Sequence, residues 1–199
     1  MASTVSLLNV GYRSTNYYVL GQGQTRLLVD LGWPGSAGEL TTSLKRKGLA
    51  LRDLTHAFAT HYHPDHAGLA QDLKRQGVRL IVIDTQVPAI AELSRLVKPG
   101  DGFNAITLDD AIIVSASESR ALLATIGLAG VIVPTPGHSP DSMSLVLDSG
   151  EAFIGDLTPE ALAYGDSEDV VRASWAALRR AGARMCHPGH GPARPVPSP

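Results

Sequence analysis

The segment Thr60-His61-Tyr62-His63-Pro64-Asp65-His66-Ala67-Gly68 constrains this chain more than any other. Four side chains able to bind a metal, His61, His63, Asp65 and His66, fall within six residues. The run over 54–60 reads as a strand, and Leu69 and Leu73 ahead of Gly77 read as one face of a helix over 67–76. The cluster therefore lies on a strand-to-helix connection. His61 and His63, two apart in extended backbone, share one side. Asp65 and His66 then fall at a helix start, where a carboxylate also meets the positive end of the helix dipole. Neutral imidazole and carboxylate suit zinc and other borderline first-row ions.

Histidine is the one unusual part of the composition. There are 7 in 199 residues, and five of them, at 61, 63, 66, 138 and 190, stand where a metal would want them. The remaining values, 44% apolar and 18% charged, are ordinary and exclude a disordered chain. A formal net charge of −2 argues against a nucleic-acid or anionic-membrane binder, since both need a basic surplus. The basic run Lys45-Arg46-Lys47 and the arginines at 179–180 read as solvated helix ends. The single cysteine, Cys186, allows no intrachain disulfide and no cysteine-rich zinc module, and reads as a small strand residue. Residues 1–10 carry neither a basic leader nor a long apolar run, and no stretch approaches a membrane span, so a cytoplasmic location is expected.

Both hydrophobic periods recur along the chain, which makes the class mixed α/β. Strands are expected over 5–10, 16–20, 26–30, 54–60, 78–83, 111–114, 131–133, 143–147, 152–154 and 183–186. Helices are expected from Ser36 to Gly48, over 67–76, over 88–97, over 117–126 and over 167–181. Ser36 and Glu39 form a capping-box signature for the first of them. A single domain over 1–191 is expected, with a proline-rich tail over 192–199 that can be neither helix nor central strand.

Three later residues fit the same site. His138 follows a strand in Thr135-Pro136-Gly137-His138-Ser139, Asp156 follows the strand ending at Ile154, and His190 follows the last strand in Pro188-Gly189-His190-Gly191. Strand ends are where a rigid scaffold presents functional groups.

With these residues in place, the chain resembles the metallo-β-lactamase superfamily of metal-dependent hydrolases, from Asn16 to Gly191. The HxHxDH run carries the resemblance, together with the order of His138, Asp156 and His190 and the turn Asp30-Leu31-Gly32. The resemblance implies an αββα sandwich of two mixed sheets flanked by helices. It implies that His61, His63 and His138 hold one metal, that Asp65, His66 and His190 hold a second, and that Asp156 bridges them. Two Zn²⁺ per chain are implied, with Fe or Mn as alternatives. A metal-bound hydroxide would then attack the carbonyl of a small ester, thioester, lactam or lactone, with Asp65 accepting or relaying the proton. An aspartate at 156 resembles the hydrolase branch rather than lactamases with a cysteine there. His187 is expected to sit outside the ligand set, and His56 to be structural.

Fold and metal site do not select a substrate. The stretch His138-Ser139-Pro140 resembles short glyoxalase II-like members, with Asp141 departing from their glycine. A small-molecule substrate is expected, with Tyr12, Arg13, Tyr62 and Tyr164 as candidate contacts; no oligomeric state is implied. β-Lactamase-like activity, phosphodiester cleavage and a mononuclear iron oxygenase of the persulfide-dioxygenase type are the competing readings. A metal-free binding protein is a further class, and the complete ligand set argues against it.

Overall fold

The computed structural model describes residues 5–198. One sheet contains β1 (Ser6–Asn9), β2 (Tyr18–Gln22), β3 (Thr25–Val29), β4 (His56–Phe58), β5 (Arg79–Ile83) and β6 (Ile112–Val114), in that spatial order. Its first three strands are antiparallel neighbours, and β3 through β6 run parallel. The parallel strands need crossovers, supplied by α1 (Ala37–Arg46), then α2 (Pro64–Ala67) with α3 (Ala70–Arg75), then α4 (Val87–Leu96). After α5 (Ser119–Thr125) comes the second sheet. It contains β7 (Gly130–Pro134), β8 (Met143–Leu147), β9 (Glu151–Gly155), β10 (Met185–Pro188) and β11 (Arg194–Pro195), in the order β11-β10-β9-β8-β7. Helix α6 (Glu168–Arg180) makes the crossover between the parallel pair β9 and β10.

Period-two alternation sorts the strand residues into layers. Leu27 and Val29 face the second sheet with Leu20, Phe58, Ile81 and Ile83, and meet Ile132, Leu145, Leu147 and Phe153 there. The alternate residues Leu28, Ala57, Leu80 and Val82 face outward and are covered by Leu40, Leu44, Leu73 and Leu93 of the helices. On the far side, Val146, Ala152, Ile154 and Cys186 pack beneath Val171, Trp175 and Leu178 of α6. Helices, sheet, sheet and helix make the expected αββα sandwich. Cys186 is buried in β10, and burial pushes its thiol up to about 11, consistent with a packing role.

Several local expectations need correcting. Helix α1 begins where Ser36 and Glu39 placed it, but no capping box forms. The Ser36 hydroxyl is taken by the Trp33 carbonyl and the Tyr12 hydroxyl, each at 2.6 Å, and Glu39 forks to Arg13. The helix expected over 67–76 is two pieces parted at Gly68 and Leu69, and it starts earlier because Pro64 suits a first turn. Gly68 lies so close to Pro34 that a Cβ would sit 2.3 Å from its ring. The last long strand is Met185–Pro188 rather than 183–186, and Arg194–Pro195, within the proline-rich segment, pairs with it as an edge strand. No helix among the described residues is long and apolar enough to cross a membrane.

Candidate metal centre

Five strands deliver their following loops to one edge of the sandwich. Asp30 follows β3, His61 follows β4, His138 follows β7, Asp156 follows β9 and His190 follows β10. The edge is tied together by backbone and buried side chains. Met143 N–H donates to the Thr60 carbonyl at 2.8 Å, and Asn16 N–H donates to the Gly189 carbonyl at 2.7 Å. The Tyr18 hydroxyl donates to the Pro188 carbonyl at 2.9 Å. Gln86, fully buried, donates to the carbonyls of Ala59, Thr60 and Asp141. Such bonds hold loops on a rigid frame, which a preorganised site requires.

All seven sequence-predicted residues come together there. Ring nitrogens of His61, His63 and His138 form one group, with His61 Nε2 at 3.1 Å and His138 Nε2 at 3.0 Å from His63 Nδ1. Asp65, His66 and His190 form another, in which Asp65 Oδ2 lies 3.3 Å from His66 Nε2 and 3.2 Å from His190 Nε2. Asp156 stands between the groups. Its Oδ1 is 3.3 Å from His66 Nε2, and its Oδ2 is 3.4 Å from His190 Nε2 and 3.7 Å from His138 Nε2. His61 and His66 form a fully buried floor, while His138 and His190 form a rim at 30% and 42% exposure.

The opposite ring nitrogens are held from behind, which fixes the atom each histidine turns inward. His190 Nδ1 lies 2.6 Å from the Ser14 carbonyl, so it carries the proton and Nε2 faces the centre. His61 Nδ1 is 3.2 Å from the Thr60 hydroxyl. His66 Nδ1 faces Asp30 Oδ2 at 2.9 Å. Asp30 itself is 2% exposed at φ +59°, a conformation aspartate tolerates better than most residues, and it accepts from Thr60 N–H at 2.8 Å and from the Thr60 hydroxyl. Thr15 donates to Asp65 Oδ2 at 3.1 Å.

The charges suit a cation. Burial opposes protonation of His66, but Asp30, Asp156 and Asp65 outweigh it and raise its proton affinity well above the usual value. Burial likewise pushes Asp65 up, yet His66 and Thr15 bring it down to about 2, and His66 holds Asp156 below the carboxylate range. His61 is held neutral, first by burial and then by the neighbouring histidines, leaving a lone pair free to coordinate. His66 Nε2 and Asp156 Oδ1 are buried polar atoms that face each other at 3.3 Å without forming a well-directed hydrogen bond to each other or to any other described residue. Buried unpartnered donors and acceptors are costly, and a coordinated ion satisfies them. The donor set, five imidazoles and two carboxylates without sulfur, fits one or two borderline divalent ions.

A family profile decides the lineage. The profile described as metallo-beta-lactamase superfamily matches residues 10–190. This chain belongs to the metallo-beta-lactamase superfamily. Within it, the chain is 30% identical over 186 residues to an atrochrysone carboxyl ACP thioesterase from Aspergillus fumigatus, a match covering 90% of this chain and 38% of that protein. It is also 30% identical over 189 residues to the thioesterase pkgB from Emericella nidulans, covering 91% of this chain and 47% of that one. The chain thus spans about half or less of the length of these relatives. Among solved structures, a metallo-beta-lactamase family protein from Thermus thermophilus superposes with TM-score 0.73 at 21% identity, covering 96% of this chain and 75% of that one. The subclass B3 enzyme BJP-1 of Bradyrhizobium japonicum gives 0.64 at 21% identity, covering 92% and 74%. These two likenesses concern the superfamily fold.

The histidines outside the cluster also have places. His187 is packed between Phe153, on which it stacks, and Tyr18, and its Nε2 bonds to Glu151. His56 is buried at the start of β4, with Nδ1 on the Thr55 hydroxyl at 2.9 Å. Of the candidate contacts, Tyr12 and Arg13 are engaged by Ser36 and Glu39, and Tyr164 is 81% exposed. Tyr62 is buried with its hydroxyl unpartnered among the described residues. Sequence reading missed the supporting groups. Asp30 drew notice only as a turn residue, and the Ser14 carbonyl and the hydroxyls of Thr15 and Thr60 gave no signal.

Gly189 is a point where the site admits no side chain. A Cβ there would lie 2.5 Å from both Asp156 Oδ1 and His66 Cε1. Its backbone cannot retreat, since Gly189 N–H donates to the Gly155 carbonyl and Asn16 N–H donates to its own carbonyl, both at 2.7 Å. Gly189→Ala should therefore weaken metal affinity by about 10–100-fold, the size of a disturbed supporting shell. Competition with a chelator of known affinity measures this, and an unchanged affinity contradicts the packing described.

Proposed function

We propose that this chain is a dinuclear metal-dependent hydrolase whose substrate is a small thioester. The observation that carries the reading is Asp156, set between the His61–His63–His138 group and the Asp65–His66–His190 group with an oxygen towards each. Asp156 in place of a cysteine, and thioesterases among the 30% identical relatives, favour an acyl thioester over a β-lactam. In this reading His61, His63 and His138 hold one ion, Asp65, His66 and His190 the other, and Asp156 joins both. Bound there, divalent ions, zinc above Fe or Mn, supply Lewis acidity and a lowered pKa for the attacking water.

The chain's own groups do the rest. Asp65, ionised at neutral pH, stands at the centre where its carboxylate can orient the attacking water and relay its proton. Thr15 fixes that carboxylate by donating to the same oxygen. The exposed rim of His138 and His190 leaves the carbonyl an approach from solvent, while the buried floor excludes water from behind. The water oxygen bonds to the acyl carbon, the C–S bond breaks, and the thiol leaves with a proton.

A panel of a thioester, a lactone, a β-lactam and a phosphodiester tests the assignment on the metal-loaded chain. Thioester turnover should exceed the others by at least tenfold and vanish on chelation. Flat activity across the panel, or turnover that survives metal removal, contradicts it. Sulfur-oxidising activity with iron bound would support the oxygenase reading instead.

A further inference from the structure

Two cavities open beside the centre, and their linings differ in character. One, of about 440 Å³, runs along α4 and is walled by Tyr62, Pro88, Ala89, Leu96 and Pro140 next to His63. It is lined by no lysine or arginine, and Leu96 stands at 55% exposure as an unpacked apolar side chain. Its carboxylates are engaged: Asp141 accepts from Tyr62 N–H at 2.8 Å, and Glu92 pairs with Arg95. The other, of about 290 Å³, is lined by His138, Asp156, His190 and Arg194. Arg194 is the only lysine or arginine lining either cavity; its side chain makes no hydrogen bond or ion pair among the described residues, and its charge otherwise acts on the neighbouring Cys186 thiol. Its strand, β11, is anchored against β10 with Arg194 opposite Cys186, so the cation is held beside the centre.

His63 lines the first cavity and His138 the second, and their ring nitrogens are 3.0 Å apart, so the two lie on either side of the centre. A molecule with its reacting carbonyl at the centre therefore extends in two directions. Burying apolar surface against α4 is favourable at roughly 25 cal/mol per Å². An anion placed there would meet Glu92 and Asp141, and the cation beside Glu92, Arg95, is already paired with it, whereas at Arg194 it meets an unpaired guanidinium, the group best suited to carboxylate or phosphate.

We propose that the substrate lies across the centre in one direction, with an apolar acyl group in the α4 cavity and a negatively charged thiol arm at Arg194. This rests on the thioesterase reading above. It makes Arg194 and Leu96 specificity-determining residues, acting on opposite halves of the same molecule.

The test uses four thioesters with the metal-loaded full chain. Three share an octanoyl group, on coenzyme A (phosphate arm), on glutathione (carboxylate arm) and on N-acetylcysteamine (neutral arm); the fourth is acetyl-coenzyme A. Arg194→Gln should raise KM for an anionic octanoyl ester at least tenfold relative to the neutral one, with kcat moving less, and Arg194→Lys should restore part of the loss. Whichever anionic ester loses more identifies the anion as phosphate or carboxylate. Leu96→Glu, at an exposed helical position, should raise KM severalfold for octanoyl-coenzyme A relative to the acetyl ester. An equal effect of Arg194→Gln on charged and neutral esters, or of Leu96→Glu on both acyl lengths, overturns the orientation while leaving the thioesterase reading standing. Absence of turnover with all four esters in the wild type overturns that reading, and this inference with it.

Discussion

Asp156→Asn should leave the sandwich folded and remove turnover together with bound metal. The side chain is 15% exposed and reaches both ligand groups, with Oδ1 towards His66 and Oδ2 towards His190 and His138. The amide keeps the shape but carries no charge, and it replaces one oxygen by an N–H₂ group that cannot coordinate. Changes behind a ligand cost about 10–100-fold in affinity or activity, and removal of the carboxylate that joins the two groups should exceed that range. Elemental analysis and turnover on the same purified sample check the prediction, with circular dichroism reporting the fold. Full metal occupancy and normal turnover would show that Asp156 is not a ligand.

Asp30→Ala should be the most destabilising change at this edge. Its carboxylate is buried, faces His66 Nδ1 at 2.9 Å and accepts from both the backbone and the hydroxyl of Thr60. Removing one partner of a buried pair costs roughly 3–5 kcal/mol, because the other is left uncompensated. The loss falls on the ring that faces both Asp65 and Asp156, so metal affinity should fall as well. The positive φ adds to the cost, since alanine has no local hydrogen bond to offset it. Urea denaturation gives the stability change. A loss below about 1 kcal/mol, within the span of an ordinary surface substitution, contradicts this role.

The chemistry of the site was more legible in the sequence than its support. His61, His63, Asp65 and His66 announce themselves because four potential ligands in six residues have no ordinary packing explanation. His138, Asp156 and His190 were visible only as polar residues at strand ends, and the fold then brings them to the same edge. The groups behind them were not visible, for a physical reason. The Ser14 carbonyl that orients His190 is backbone, 176 residues away, and any residue type presents one. Thr15 and Thr60 are common polar residues whose partners depend on how two sheets meet.

Local pattern also lost to tertiary contact. The capping residues Ser36 and Glu39 have the right spacing, yet Tyr12 and Arg13 compete for them from the first sheet's opening turn. One helix became two where Gly68 packs on Pro34. Hydrophobic period alone reached a mixed α/β class, and the αββα layering came from the family resemblance; the alternation that puts Leu27 and Val29 on one face and Leu28 on the other does not by itself say what covers either face.

Metal stoichiometry of the purified wild-type chain tests the central claim most directly. Two equivalents of zinc, or of another borderline divalent ion, per chain should be found, falling to one or none in Asp156→Asn. A single iron per chain, or no metal at all with the fold intact and thioester turnover unimpaired, would contradict the account.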